Sequence, residues 1–178
     1  AYSNLGIALK ASKKLTAAEN SYRQALALRP DDKNFLNNLG VLLGEMKQPA
    51  AAEEMLRRVT DLAPDYAEGW NNLGIILNQV ERYGEAEGKF RKAILLNPGF
   101  VAAYCNLGNA LKAQRRLAEA EEAYENALAI DSDDTDTLNN FAILLGQTRR
   151  LGEARSMFEH ALTRNPEFAG AYINLGNT

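Results

Sequence analysis

Cysteine, histidine and tryptophan each occur once in this chain of 178 residues. A lone Cys105 excludes an internal disulfide framework and any cysteine-rich metal site. A lone His160 leaves no histidine cluster for metal binding or proton transfer. Charge of one sign is also scarce: 23 acidic and 20 basic residues leave a net -3, with no basic stripe and no acidic tail. That balance disfavours nucleic acid and anionic membrane as partners. No run approaches the roughly 18 apolar residues of a membrane span, and no charged stretch leads into an apolar one as in a signal peptide. Direct membrane insertion is therefore not expected; the chain reads as soluble, with the cytoplasm slightly favoured. No glycine-rich segment ends in the Lys-Ser or Lys-Thr of a phosphate loop.

What is present is a period. Asn4, Asn38, Asn72, Asn106, Asn140 and Asn174 stand 34 residues apart, followed by Leu-Gly in five cases and by Phe141-Ala142 in the other. A strict period of this length signals a solenoid, whose core is a continuous strip between neighbouring units. Within a unit, Leu36, Leu39, Gly40 and Leu43 fall at helical spacings, as do Ala52, Leu56, Val59 and Leu62. Two amphipathic helices result, joined by a turn near Gln48-Pro49. Pro30, Pro64, Pro98 and Pro166 close four units, and Ser132-Asp133-Asp134 supplies caps in the other. The expected units are 1–32, 33–66, 67–100, 101–134, 135–168 and a partial 169–178, one array whose two ends fall inside a repeat.

Small residues line up in both helices, the glycine of the Leu-Gly pair in the first and Ala18, Ala52, Ala86, Ala120 and Ala154 in the second. They are expected to let paired backbones approach closely. Two columns of large residues are assigned to the core: Tyr2, Leu36, Trp70, Tyr104, Leu138 and Tyr172, and Tyr22, Leu56, Phe90, Tyr124 and Phe158.

These features resemble the tetratricopeptide repeat family across the full chain. The resemblance implies an all-α, right-handed α-solenoid of antiparallel helix pairs, with the first helices lining a concave surface. Ala142 in place of glycine, Pro49 in place of an aromatic or leucine, and Ser132 in place of a closing proline depart from the pattern.

The asparagine column lies off the buried stripe, sharing a face with Ile75 and Gln79 on the helix that contains Asn72. Two roles are open to it. The amides can bond to neighbouring helices and stabilise curvature, or their paired donor and acceptor can match those of a ligand peptide bond. First helices repeat roughly every 10 Å and an extended chain advances about 3.3 Å per residue, so one asparagine would meet every third ligand residue. The candidate peptide-binding residues are the six asparagines together with Val41, Ile75, Asn109, Ile143, Asn78 and Lys112. Small apolar ligand side chains are expected near Val41 and Ile75, and acidic ones are tolerated near Lys10 and Lys112. The column also resembles the asparagine ladder in the superhelical region of O-linked N-acetylglucosamine transferases, which implies backbone recognition of an extended peptide. The resemblance reaches no catalytic region.

Three functions follow as expectations. The first is a protein-interaction module holding an extended peptide or protein segment. The second is the substrate-recognition part of a larger enzyme such as a glycosyltransferase. The third is a scaffold that self-associates head to tail through Tyr2 and Leu5 at one end and Tyr172 and Leu175 at the other. A carboxylate clamp of the chaperone-adaptor type is disfavoured, because isoleucine or valine occupies several of its positions. No catalytic residue, metal site or cofactor is expected within the segment. Cys105 is placed at the groove margin, His160 on a solvent-facing helix end, and Glu53-Glu54, Glu121-Glu122 and Asp133-Asp134 on solvated surface or in caps.

Overall fold

Each period holds two runs of helix formers separated by a charged turn. The computed structural model describes residues 2–167 and 171–172, and folds these runs as ten α-helices among those residues. They come in pairs, first helix then second: α1 (Tyr2–Ala11) with α2 (Leu15–Leu28), α3 (Lys33–Glu45) with α4 (Pro49–Leu62), and α5 (Ala67–Gln79) with α6 (Tyr83–Leu96). Then follow α7 (Val101–Ala113) with α8 (Leu117–Ile130) and α9 (Thr135–Gln147) with α10 (Leu151–Arg164). The chain divides into two compact units, Ala1–Leu96 and Asn97–Thr178. In the first, α2 packs on α3 and α4 on α5; in the second, α8 packs on α9.

The turn inside each pair is a Schellman ending. After α3 the Gln48 N–H donates to the Leu43 carbonyl at 2.9 Å and the Lys47 N–H to the Gly44 carbonyl at 3.1 Å, which requires a left-handed residue at Lys47, φ 60°. Lys13, Glu81, Arg115 and Arg149 repeat this conformation. Glycine is the low-cost residue there; these charged side chains are all exposed. Pro49 then opens α4, where its missing N–H leaves no bond unmade. At the corners between pairs, Asp32 accepts from the Asn34 and Phe35 amides, and Asp134 from the Thr137 amide. Asp133 takes no part in capping α9; it accepts from His160 Nε2 at 3.0 Å and from Arg164.

The core rests on the second-helix column. Tyr22, Leu56, Phe90, Tyr124 and Phe158 are each no more than 2% exposed. Opposite them stand the first-helix glycines: a Cβ added at Gly6, Gly40, Gly74 or Gly108 would lie 2.6, 2.7, 2.6 or 2.5 Å from Tyr22, Leu56, Phe90 or Tyr124 respectively. The glycines thus make room for a large side chain of the partner helix, a more specific reason than close backbone approach. The other column is core only in part. Leu36 and Leu138 are buried, whereas Tyr2 is 42% and Tyr172 56% exposed, and Trp70 is half-buried. Trp70 donates from Nε1 to the Pro64 carbonyl and carries the Lys89 ammonium 5.2 Å from its ring centre. Leu5 is half-exposed as well, and Leu175 lies outside the described residues.

Glu53 and Glu121 are not simply solvated surface. Arg82 reaches from the start of α6 to Glu53 on α4 at 2.7 Å and to its own Glu85 at 2.6 Å, while Arg57 also donates to Glu53. In the second unit Arg150 joins Glu121 to Glu153 in the same way. Arg82, Arg116 and Arg150 recur at the repeat period. Burial raises the Glu53 carboxyl, but the hydrogen bonds from Arg57 and Arg82 outweigh it and hold the group below its ordinary 4.5.

Two substitutions separate packing from propensity. Gly74→Ala should lower unfolding stability by about 1–3 kcal/mol through overpacking against Phe90, whereas Gly88→Ala, in the interior of α6 with open space around it, should raise it by about 0.5–1 kcal/mol; urea unfolding of both variants checks the pair. Because the folded Glu53 pKa is depressed, its stabilisation is complete above 4.5 and is lost as pH falls through the folded value. The stability difference between the natural chain and Glu53→Gln should therefore be flat near neutrality and shrink below that point. A difference that stays constant down to pH ~3, well under the ordinary carboxylate range, contradicts the ion-pair account.

Candidate functional site

With the large residues of the second helices committed to the core, each first helix retains a face carrying the asparagine column. In the first unit that column is tied to its neighbour: Asn72 Nδ2 donates to Asn37 Oδ1 at 2.9 Å, from α5 to α3. Asn37 is 9% exposed. In the second unit Asn140 Nδ2 donates to Cys105 Sγ at 3.5 Å, from α9 to α7. Cys105 occupies the position of Asn37 and is buried, not set at a groove margin, because it serves as the acceptor between pairs. Burial raises its thiol pKa, with Thr137 and Asn140 partly opposing that shift.

An amide nitrogen has two N–H groups. The bond to the preceding pair uses one of them and, among the described residues, leaves the other and Oδ1 available at Asn72 and Asn140. Asn38, Asn72, Asn106 and Asn140 are half-buried and Asn4 is exposed. The Asn38 side chain makes no hydrogen bond among the described residues. Asn174 lies outside them.

Val41 and Ile75 are half-buried and meet Asn72 in a cavity of about 230 Å³ between α3 and α5, closed below by Leu56 and Ile76 and edged by Glu45 and Gln79. Gly44 also lines this cavity; a Cβ there would stand 2.5 Å from Ile76 Cδ1, the movable end of that side chain. Asn78 is half-buried outside the cavity wall, and its Oδ1 is buried without a partner. Lys10 is already committed: its ammonium lies 2.8 Å from Glu45 Oε1.

The second unit has a different character. Asn109 Oδ1 accepts from the Tyr124 hydroxyl at 2.8 Å, and the Lys112 ammonium lies 5.8 Å from the Tyr124 ring centre. Burial raises the Tyr124 hydroxyl pKa and lowers that of Lys112. Ile143 is half-buried on α9. His160 is paired with Asp133 in the preceding corner and does not stand alone in solvent. Among the described residues no group of three or more His, Cys, Asp or Glu is placed to hold a metal ion, and no helix is long and apolar enough to cross a membrane.

The roles of Asn37 and Cys105 as acceptors escaped sequence reasoning. Their column, Asn37, Asn71, Cys105 and Asn139, is visible at the same period, but its pairing partner lies 35 residues downstream on another helix.

Family models of the tetratricopeptide repeat match residues 9–73, 101–134 and 135–165, together most of the chain. A comparison with curated protein sequences finds no match. Among solved structures, the chain is similar to TTC0263, a thermophilic TPR protein of Thermus thermophilus, with TM-score 0.88, 20% identity, and coverage of 99% of this chain and 96% of that one. It is similar to Pseudomonas aeruginosa PilF with TM-score 0.85, 24% identity, and coverage of 99% and 82%. It is also similar to YrrB, described as a TPR protein with an unusual peptide-binding site, with TM-score 0.70, 20% identity, and coverage of 97% and 89%.

The two kinds of column asparagine separate in a stability measurement. Asn72→Ala leaves the Asn37 carbonyl oxygen buried without its donor and should cost about 1–3 kcal/mol. Asn38→Ala removes no side-chain hydrogen bond among the described residues and should stay within about 0.5 kcal/mol of the natural chain. Equal losses in the two variants contradict the assignment of an inter-pair bond to Asn72.

Proposed function

The chain belongs to the tetratricopeptide repeat family, and we propose that it is a protein-interaction module that holds an extended peptide or protein segment along the asparagine face of its first helices. The observation that carries this reading is the cavity between α3 and α5, where Val41 and Ile75 offer an apolar wall beside the amide of Asn72. An amide with one N–H and an oxygen left over matches a ligand peptide group in donor and acceptor, and the cavity takes a small apolar side chain. Backbone contacts supply affinity with little sequence preference, so selectivity falls to the pockets between the asparagines. The similar protein YrrB, described as having a peptide-binding site, supports the same reading.

The test is a peptide array followed by fluorescence anisotropy on the best segment. Asn38→Ala, which leaves the fold intact, should weaken binding about two- to tenfold, the worth of one hydrogen bond. The triple change of Asn38, Asn72 and Asn106 to alanine should weaken it further while helicity is retained. Ile75→Asp should abolish the preference for an apolar ligand residue. Affinity should fall only modestly with added salt, since the face lacks concentrated charge. Unchanged affinity in the triple variant, or binding that collapses with salt, contradicts the proposal.

A further inference from the structure

Lys112 is the anomaly of the second unit. It is a half-buried ammonium with no carboxylate within ion-pairing distance among the described residues. Lys10, one of its counterparts at the repeat period, is neutralised by Glu45; the other counterparts are Gly44, Asn78 and Gly146, none of them cationic. The ring of Tyr124 holds the Lys112 ammonium in place at 5.8 Å without neutralising it. Burial already disfavours the charged form there, so a group that pairs with it gains more than it would on an open surface.

Asn109 lies one turn before Lys112 on the same side of α7. The two converge on one side chain, since the Tyr124 hydroxyl donates to Asn109 Oδ1 while the Tyr124 ring faces Lys112. In this arrangement the Asn109 oxygen accepts from Tyr124, and its Nδ2 has no protein acceptor among the described residues. An amide N–H pair and an ammonium thus lie one helical turn apart on α7, both against Tyr124. The complementary ligand group is an anion with two oxygens and a single charge.

We propose that Asn109 and Lys112, positioned by Tyr124, form a receptor for one carboxylate side chain, aspartate or glutamate, carried by the segment that occupies the groove. The proposal rests on the groove reading above and adds a selectivity to it. One ammonium beside one amide suits a carboxylate better than a dianionic phosphate. Tyr124 acts as a positioning residue, because its hydroxyl orients Asn109 and its ring holds Lys112.

The experiment uses the whole chain and three probe peptides: acetyl-(Ala-Glu)3-amide, acetyl-(Ala-Gln)3-amide, and acetyl-(Ala-Gln)3 with a free C-terminus. Each is titrated against the ¹⁵N-labelled protein while the amide resonances around Asn109 and Lys112 are followed. The glutamate peptide should bind about tenfold or more tightly than its amidated glutamine counterpart, as a charge-assisted bond requires. Lys112→Met should erase that difference, Lys112→Arg should keep most of it, and Tyr124→Phe should reduce it; circular dichroism confirms that each variant remains helical. Equal affinity of the two amidated peptides, or a glutamate preference surviving Lys112→Met, overturns the receptor while leaving the groove reading standing. A free-terminus glutamine peptide that binds as tightly as the glutamate peptide assigns the site to a chain end and overturns the side-chain claim. Failure of all three peptides to perturb the asparagine face overturns both.

Discussion

The fit of one large side chain against one missing Cβ sets the geometry on which the rest depends. Tyr22, Leu56, Phe90 and Tyr124 reach across from the second helix into space that exists only because Gly6, Gly40, Gly74 and Gly108 carry no side chain. With these side chains at 0–1% exposure, the rotation of each first helix about its axis is fixed, since turning it would drive a backbone or a larger residue into them. In the fifth period the same position is Ala142 against Phe158, both buried. A methyl group is accommodated there, so the constraint is one of volume between two particular helices rather than of backbone conformation.

Once that rotation is fixed, the residues two before each glycine cannot enter the core, and the asparagine column is set on the opposite flank. The column then has the capacity for two roles. Asn72 and Asn140 hold adjacent pairs together within their own units through Asn37 and Cys105, and they retain donor and acceptor capacity toward the open side. Structural and binding roles are usually weighed as alternatives for a repeated polar residue; a primary amide has enough donors and acceptors for both. Exchange of the acceptor from Asn37 to Cys105 softens the tie, because a thiol is a weak acceptor, while Tyr124, Asn109 and Lys112 give the second unit a polar, cationic character that the apolar cavity of the first lacks.

Most of the fold is legible in the sequence because the apolar and small residues repeat with the helical and the repeat period at once; helices, turns, closing prolines and the Tyr22-to-Phe158 column all follow from spacing. What escapes has a common cause. The left-handed position is filled by Lys47, Glu81 or Arg115, residues that carry no local signal for that conformation. The Arg82–Glu53 and Asn72–Asn37 contacts join residues on different pairs, 29 and 35 positions apart, and only the stacking register brings them together. Lys112 and Lys10 stand on a par in the sequence, at equivalent places in their repeats. The difference between them is the presence of Glu45 beside one and the Tyr124 ring beside the other.

The central claim is that the amide column is shared between neighbour and ligand. A crystal structure of the chain with a groove peptide tests this most directly. The expected result is an extended segment along the first helices of the first unit, its backbone N–H and carbonyl paired with the free oxygen and second N–H of Asn72, and the Asn72–Asn37 bond still in place. A ligand seated on the second helices, or one that binds only by breaking the Asn72–Asn37 bond, would contradict it.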